Sequence, residues 1–175
     1  EISLGLVGSE MCIRDRDMSE DALLPNRKLS EPFRLRMNEL IKEKGLSSTN
    51  YAKTLHIDRD TITRATKYGI VPKVQILIKI ADYHKISLSY LLGDNNDEDN
   101  FHEALSRSTF HVRVKELCEE KKIKFSDIKY HVSFPYAYFY DWMREGTLPT
   151  LDKLDSIASY FGVSLDYLLG RSDDR

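Results

Sequence analysis

The sequence predicts an all-α chain of two tandem five-helix domains joined by an acidic linker, and three observations carry that expectation. First, residues 33–93 and 110–170 repeat one another at a fixed offset of 77 residues, with no insertion or deletion. Ile80-Ala81-x-Tyr83 answers Ile157-Ala158-x-Tyr160, and Ser87-Leu88-x-Tyr90-Leu91-Leu92-Gly93 answers Ser164-Leu165-x-Tyr167-Leu168-Leu169-Gly170. Gly69 and Pro72 answer Gly146 and Pro149 in the same way. A period this long exceeds that of the common solenoid repeats and describes two small complete domains. Second, apolar residues recur at helical spacing behind capping residues in both copies. Third, strand signals are nearly absent, the aromatic run at residues 136–140 being the one ambiguous place.

Each element follows from local chemistry. Phe33, Met37, Leu40 and Ile41 stand at i, i+4, i+7 and i+8, and Phe110, Val114, Leu117 and Cys118 repeat those offsets, so an amphipathic helix opens each copy. Ser30, with Glu31 and Pro32 behind it, is its start signal. Ser47 caps a short second helix with Tyr51, Ala52 and Leu55 inward; His56 and Ile57 break it. Asp58 caps a third helix carrying Ile62 and Ala65 inward, and Gly69 ends it. Pro72 opens a fourth helix with Val74, Leu77, Ile78 and Ala81 on one face, and Ser87 caps a fifth that ends at Gly93. In the second copy Phe139 and Trp142 answer Ile62 and Ala65 and belong to the core.

The 175 residues, 41% hydrophobic and 31% charged, accommodate two domains of this size. Residues 30–93 form the first domain and 110–171 the second. Residues 94–109, opening Asp-Asn-Asn-Asp-Glu-Asp-Asn, read as a solvated linker that reaches roughly 55 Å at about 3.4 Å per residue when extended; residues 101–105 have some helical character. Residues 1–29 read as a disordered tail. Within it, residues 1–16 carry no cap or helical period and resemble translated sequencing-adapter DNA, which places the expected natural start at Met18. No long apolar run or signal peptide is present, so a cytoplasmic protein without membrane contact is expected. Cys12 and Cys118 are too few and too far apart for a disulfide framework, and the five histidines lack ligand spacing, so neither metal nor cofactor is expected.

The formal charge of −2 is unevenly spread. Residues 33–93 hold eleven Lys and Arg against five Asp and Glu, a balance of +6, whereas residues 110–170 hold eight against nine, a balance of −1. The two copies therefore have different electrostatic roles.

Two short helices joined by a tight turn, preceded by one helix and followed by two, resemble the helix-turn-helix domain of the phage-repressor (Cro and repressor-type, XRE) family. Trp142-x-x-x-Gly146-x-x-Pro149 and the run from Ile157 to Gly170 carry the resemblance most strongly, and it covers about 122 of the 175 residues. It implies a helix-turn-helix over residues 48–67, with the helix after Asp58 in the major groove of double-stranded DNA. Arg59, Asp60 and Arg64 match the family's base-contacting places, with Thr63 beside them. An arginine there is suited to guanine N7 and O6, and Asp60 to cytosine N4. Ser48, Lys53, Lys67 and Lys73 are the expected phosphate contacts. In the second domain Tyr136, Ala137, Tyr140, Asp141 and Arg144 occupy the corresponding surface, which suits DNA or a protein interface. Two features depart from the family. Ser48 and Phe125 stand where many relatives have glutamine, and Ile41 with Thr66, and Cys118 with Met143, replace an arginine–glutamate pair. Lys129 stands where the first copy has the small Ala52.

The leading expectation is a sequence-specific DNA-binding transcriptional regulator, a repressor, acting as a homodimer or through an intrachain domain pair on half-sites about one turn, roughly 34 Å, apart. The alternative is a protein-interaction module, such as an antirepressor or antitoxin-like partner, on the same scaffold. The cluster over residues 59–67 is also what a solvated helix face looks like. No nucleophile–base pair, phosphate-cradling glycine loop or small-molecule site is legible, so an enzyme is not expected.

Overall fold

The computed structural model describes residues 29–94, 101–132, 142 and 147–175, which are mostly helical. No strand occurs among the described residues; Leu29 and Ile70 form a lone antiparallel bridge at the base of the first repeat. No helix there is long and apolar enough to cross a membrane.

In the first repeat, α1 (Glu31–Glu43) starts at Ser30, whose hydroxyl accepts the Phe33 N–H at 3.3 Å, and buries Phe33, Met37, Leu40 and Ile41. Helix α2 (Ser48–Thr54) is capped by Ser47 and buries Tyr51 and Ala52. His56, at φ 51°, turns the chain into α3 (Arg59–Tyr68). The Asp58 carboxylate accepts the Thr61 N–H at 3.2 Å, which satisfies one orphan donor and sets a negative charge on the positive end of the helix. Gly69, at φ 67°, stops α3. The fourth helix, α4 (Val74–His84), begins two residues after Pro72, with Lys73 at the cap position. Its buried stripe is Val74, Leu77, Ile80 and Ala81; Ile80 takes the fully buried place expected of Ile78, which lies half-buried at the core's edge. Helix α5 (Leu88–Leu92) follows the Ser87 cap. Helix α1 packs on α3 and α5, α2 on α3, and α4 on α5.

The second repeat follows the same order where it is described. Helix α6 (Phe110–Lys121) buries Phe110, Val114, Leu117 and Cys118. Its second element starts as a 3-10 turn, Phe125–Asp127, before α7 (Ile128–His131). The physical reason is the missing cap. Lys124 stands where the first repeat has Ser47 and offers no side-chain acceptor, so the turn tightens and the Asp127 N–H bonds the Lys124 carbonyl at 2.8 Å. Helices α8 (Leu151–Phe161) and α9 (Leu165–Leu168) lie at the same offset from α4 and α5 and pack on each other and, for α9, on α6. Trp142 is buried, as its pattern predicts; Phe139 lies outside the described residues.

Each repeat closes by a glycine on the start of its own first helix. A Cβ on Gly93, at φ 81°, would stand 2.4 Å from Pro32 Cβ, and one on Gly170, at φ 68°, would stand 2.3 Å from the Ser108 carbonyl oxygen. The end of the linker is structured differently from the expectation. Residues 101–105 are not helical, because their backbone bonds the C-terminal tail instead: the Ala104 N–H donates to the Arg171 carbonyl at 2.8 Å and the Leu105 N–H to Asp173 at 3.1 Å. The tail beyond residue 171 also belongs to this packing. Ser172 is buried, Asp173 pairs with Arg113, and Arg175 pairs with Glu120 at 2.5 Å.

Candidate nucleic-acid interface

Burying Ile62 and Ala65 turns the opposite face of α3 outward. Arg59, Asp60, Thr63, Arg64 and Lys67 are all exposed there, at i, i+1, i+4, i+5 and i+8, which is one continuous stripe on a helix. The Thr63 hydroxyl donates to the Arg59 carbonyl at 3.0 Å, and the Lys67 ammonium lies 5.1 Å from the Tyr68 ring centroid. Ser48 at the start of α2, Lys53 in its last turn and Lys73 at the cap of α4 are exposed as well.

The arginines divide sharply. Arg34, Arg36, Arg107, Arg113, Arg171 and Arg175 each form an ion pair with a carboxylate. Arg59 and Arg64 form none among the described residues, although Asp60 is four positions before Arg64. A guanidinium left this way keeps its five donors in water, in the planar fork that fits guanine or phosphate.

Behind the stripe, a part-buried side-chain contact ties α2 to α4. Tyr51 is fully buried and its hydroxyl lies 2.9 Å from His84 Nε2. Burial, with Tyr83 beside it, pushes the Tyr51 phenol far up, and burial followed by the Lys44 charge pushes the His84 imidazole down to about 4. Both shifts favour a neutral phenol donating to a neutral ring. Ile41 is buried, and Thr66 satisfies its hydroxyl on the Ile62 carbonyl at 2.9 Å while its own carbonyl accepts Asn38 Nδ2 at 3.0 Å. At these two positions the fold thus holds an apolar side chain and a satisfied hydroxyl, with no desolvated charge to compensate.

Beside α3 a groove of about 650 Å³ runs between the repeats, lined by Thr61, Val71, Pro72, Lys73, Leu148 and Pro149 among others. Between the repeats there is also a cluster that the sequence pattern does not announce. Arg171, 3% exposed at its side chain, donates from Nε to Asp82 at 2.9 Å, from Nη1 to Asp166, and from Nη2 to the Ile86 carbonyl at 2.9 Å. Asp166 also accepts the Leu88 N–H at 2.8 Å, and Arg107 of the linker reaches Asp82 at 2.8 Å. The Arg171 guanidinium stands 4.8 Å from the Phe101 ring centroid. Arg171 and its two carboxylate partners are 5 and 89 residues apart in the chain, so no local period brings all three together.

Tyr136, Ala137, Tyr140, Asp141 and Arg144, the surface expected of the second repeat, lie outside the described residues, as does the side chain of Lys129. The Cys118 thiol is buried, and burial, then Asp127 and Glu119, pushes it up to about 11, which makes it a packing residue and a poor nucleophile. Among the described residues no group of three His, Cys, Asp or Glu side chains is placed to hold a metal ion. No protein-family model, no curated protein and no solved structure matches this chain.

Proposed function

We propose that the chain is a sequence-specific DNA-binding transcriptional regulator, a repressor of the phage-repressor-like XRE type, built as two tandem five-helix helix-turn-helix domains. It acts by occupying DNA and not by catalysis, and it works in the cytoplasm. Helix α3 is the reader: Arg59 and Arg64 grip guanine, Asp60 accepts from cytosine, and Thr63 lies alongside. Ser48, Lys53, Lys67 and Lys73 position the phosphates around it. The observation that carries this reading is the stripe on α3, where the two unpaired described arginines stand together on a repeat with a balance of +6. A solvated face also keeps its arginines in water; what favours DNA is that Arg59 and Arg64 stand at the places the resemblance gives to base contact, on the repeat that holds the positive balance.

Selection from a pool of random-sequence duplexes with the chain from Met18 onward tests it. Enrichment of a defined motif, with affinity falling steeply as salt rises, is the expected outcome. A pool that stays unenriched at every salt concentration contradicts it and directs the search to a protein partner.

A further inference from the structure

The α5–α9 contact joins elements that hold the same place in the two repeats, 77 residues apart. The groove repeats the pattern: Val71, Pro72 and Lys73 line it together with their counterparts Leu148, Pro149 and Thr150. Like meeting like is the mark of a two-fold relation, whereas a head-to-tail arrangement brings unlike elements together. Inside one chain, the repeats are paired as the subunits of a dimer are.

The side chains at this interface break that symmetry. Arg171 bonds Asp82 and the Ile86 carbonyl of the first repeat and Asp166 of the second. The counterpart of Arg171 is Asp94, and the counterpart of Asp82 is Ser159. Pairing two copies of the first repeat would therefore bring carboxylate toward carboxylate. Pairing two copies of the second would leave the buried Arg171 facing a serine. The network is complete between a first repeat and a second one, and Arg107, on the linker that connects them, adds another cation to Asp82.

Resting on the DNA-reading assignment above, we propose that this face is an intrachain replacement for a homodimer interface. One chain, as a monomer, presents the α3 stripe of its first repeat once, and its target is a non-palindromic duplex bound one to one. The test uses the full chain and duplexes enriched from a random-sequence pool, with native mass spectrometry of protein and complex. One chain per duplex and a motif without internal two-fold symmetry are expected. Two chains per duplex, or a palindromic motif, overturns the inference while leaving DNA reading intact. If no duplex is enriched, the DNA reading fails, and the mass of the free chain decides the pairing alone: one chain upholds it and two overturn it. Asp82→Ser, which installs the residue of the second repeat at this place, is expected to weaken binding to the enriched duplex at least tenfold by freeing the repeats from each other. Arg171→Ala is the harsher companion. A folded Asp82→Ser protein with unchanged affinity contradicts the pairing.

Discussion

Arg171 carries more of the fold than any single position in the repeat pattern reveals. Its guanidinium is buried with two carboxylates and a carbonyl around it, so truncation removes a charged partner from Asp166, which is 4% exposed. Arg171→Ala is therefore expected to cost about 3 to 5 kcal/mol, measured by urea unfolding. The His84 imidazole makes a second, pH-dependent prediction. Its folded value near 4 lies below the ordinary 6.5, so between those values the unfolded chain holds a proton that the folded chain lacks. Stability is then full above about pH 6.5 and is lost as pH falls toward 4, by about 1 to 2 kcal/mol once the ring's partial exposure is allowed for. His84→Gln keeps a polar partner for Tyr51 without the titration. Its urea midpoint is expected to vary less across this window than that of the parent protein. An equal slope in both proteins contradicts the assignment.

Helices are legible where a cap and an apolar stripe coincide. Ser30, Ser47, Asp58 and Ser87 each accept from the N–H three residues on, as their positions before the stripes predict. Where the sequence lacks a cap, the outcome shifts: Lys124 gives a 3-10 start, and Pro72 stands outside α4. Residues 101–105 escape a local reading because their hydrogen-bond partners are Arg171 and Asp173, far along the chain. The stripe on α3 is readable in full, since Ile62 and Ala65 fix which side faces out. The Asp82–Arg171–Asp166 cluster is not, because it arises from how two repeats meet and not from any period within one. The glycines at the ends of helices offer a graded test. A Cβ on Gly162, at φ 71°, would meet nothing within 4 Å, so the cost of Gly162→Ala comes from φ alone, about 1 kcal/mol. Gly93→Ala adds a clash with Pro32 to the same backbone strain and is expected to cost about 2 to 4 kcal/mol. Urea midpoints that rank the two variants in the opposite order contradict the close packing of Gly93 on the start of α1.

At the scale of the whole molecule, charge and shape are divided between two copies of one design. The first repeat holds the positive balance and the stripe with two arginines unpaired among the described residues, and the second joins it through α5 and α9. If Lys53, Lys67 and Lys73 are the phosphate contacts, three neutralised phosphates give a slope of about −3 in log affinity against log salt. Replacing one of these lysines by alanine is expected to reduce that slope by about 1, read by fluorescence anisotropy on the enriched duplex; an unchanged slope removes that lysine from the phosphate set. The central claim, that α3 reads bases through Arg59 and Arg64, is tested most directly by carrying the parent protein and the Arg59→Ala/Arg64→Ala protein through duplex selection side by side. Both side chains are exposed and unpaired among the described residues, so the variant keeps its fold, which circular dichroism checks. The account predicts a loss of about 1 to 3 kcal/mol per bidentate contact and a motif degenerate at the positions those arginines read. The same motif at the same affinity in both proteins would contradict it.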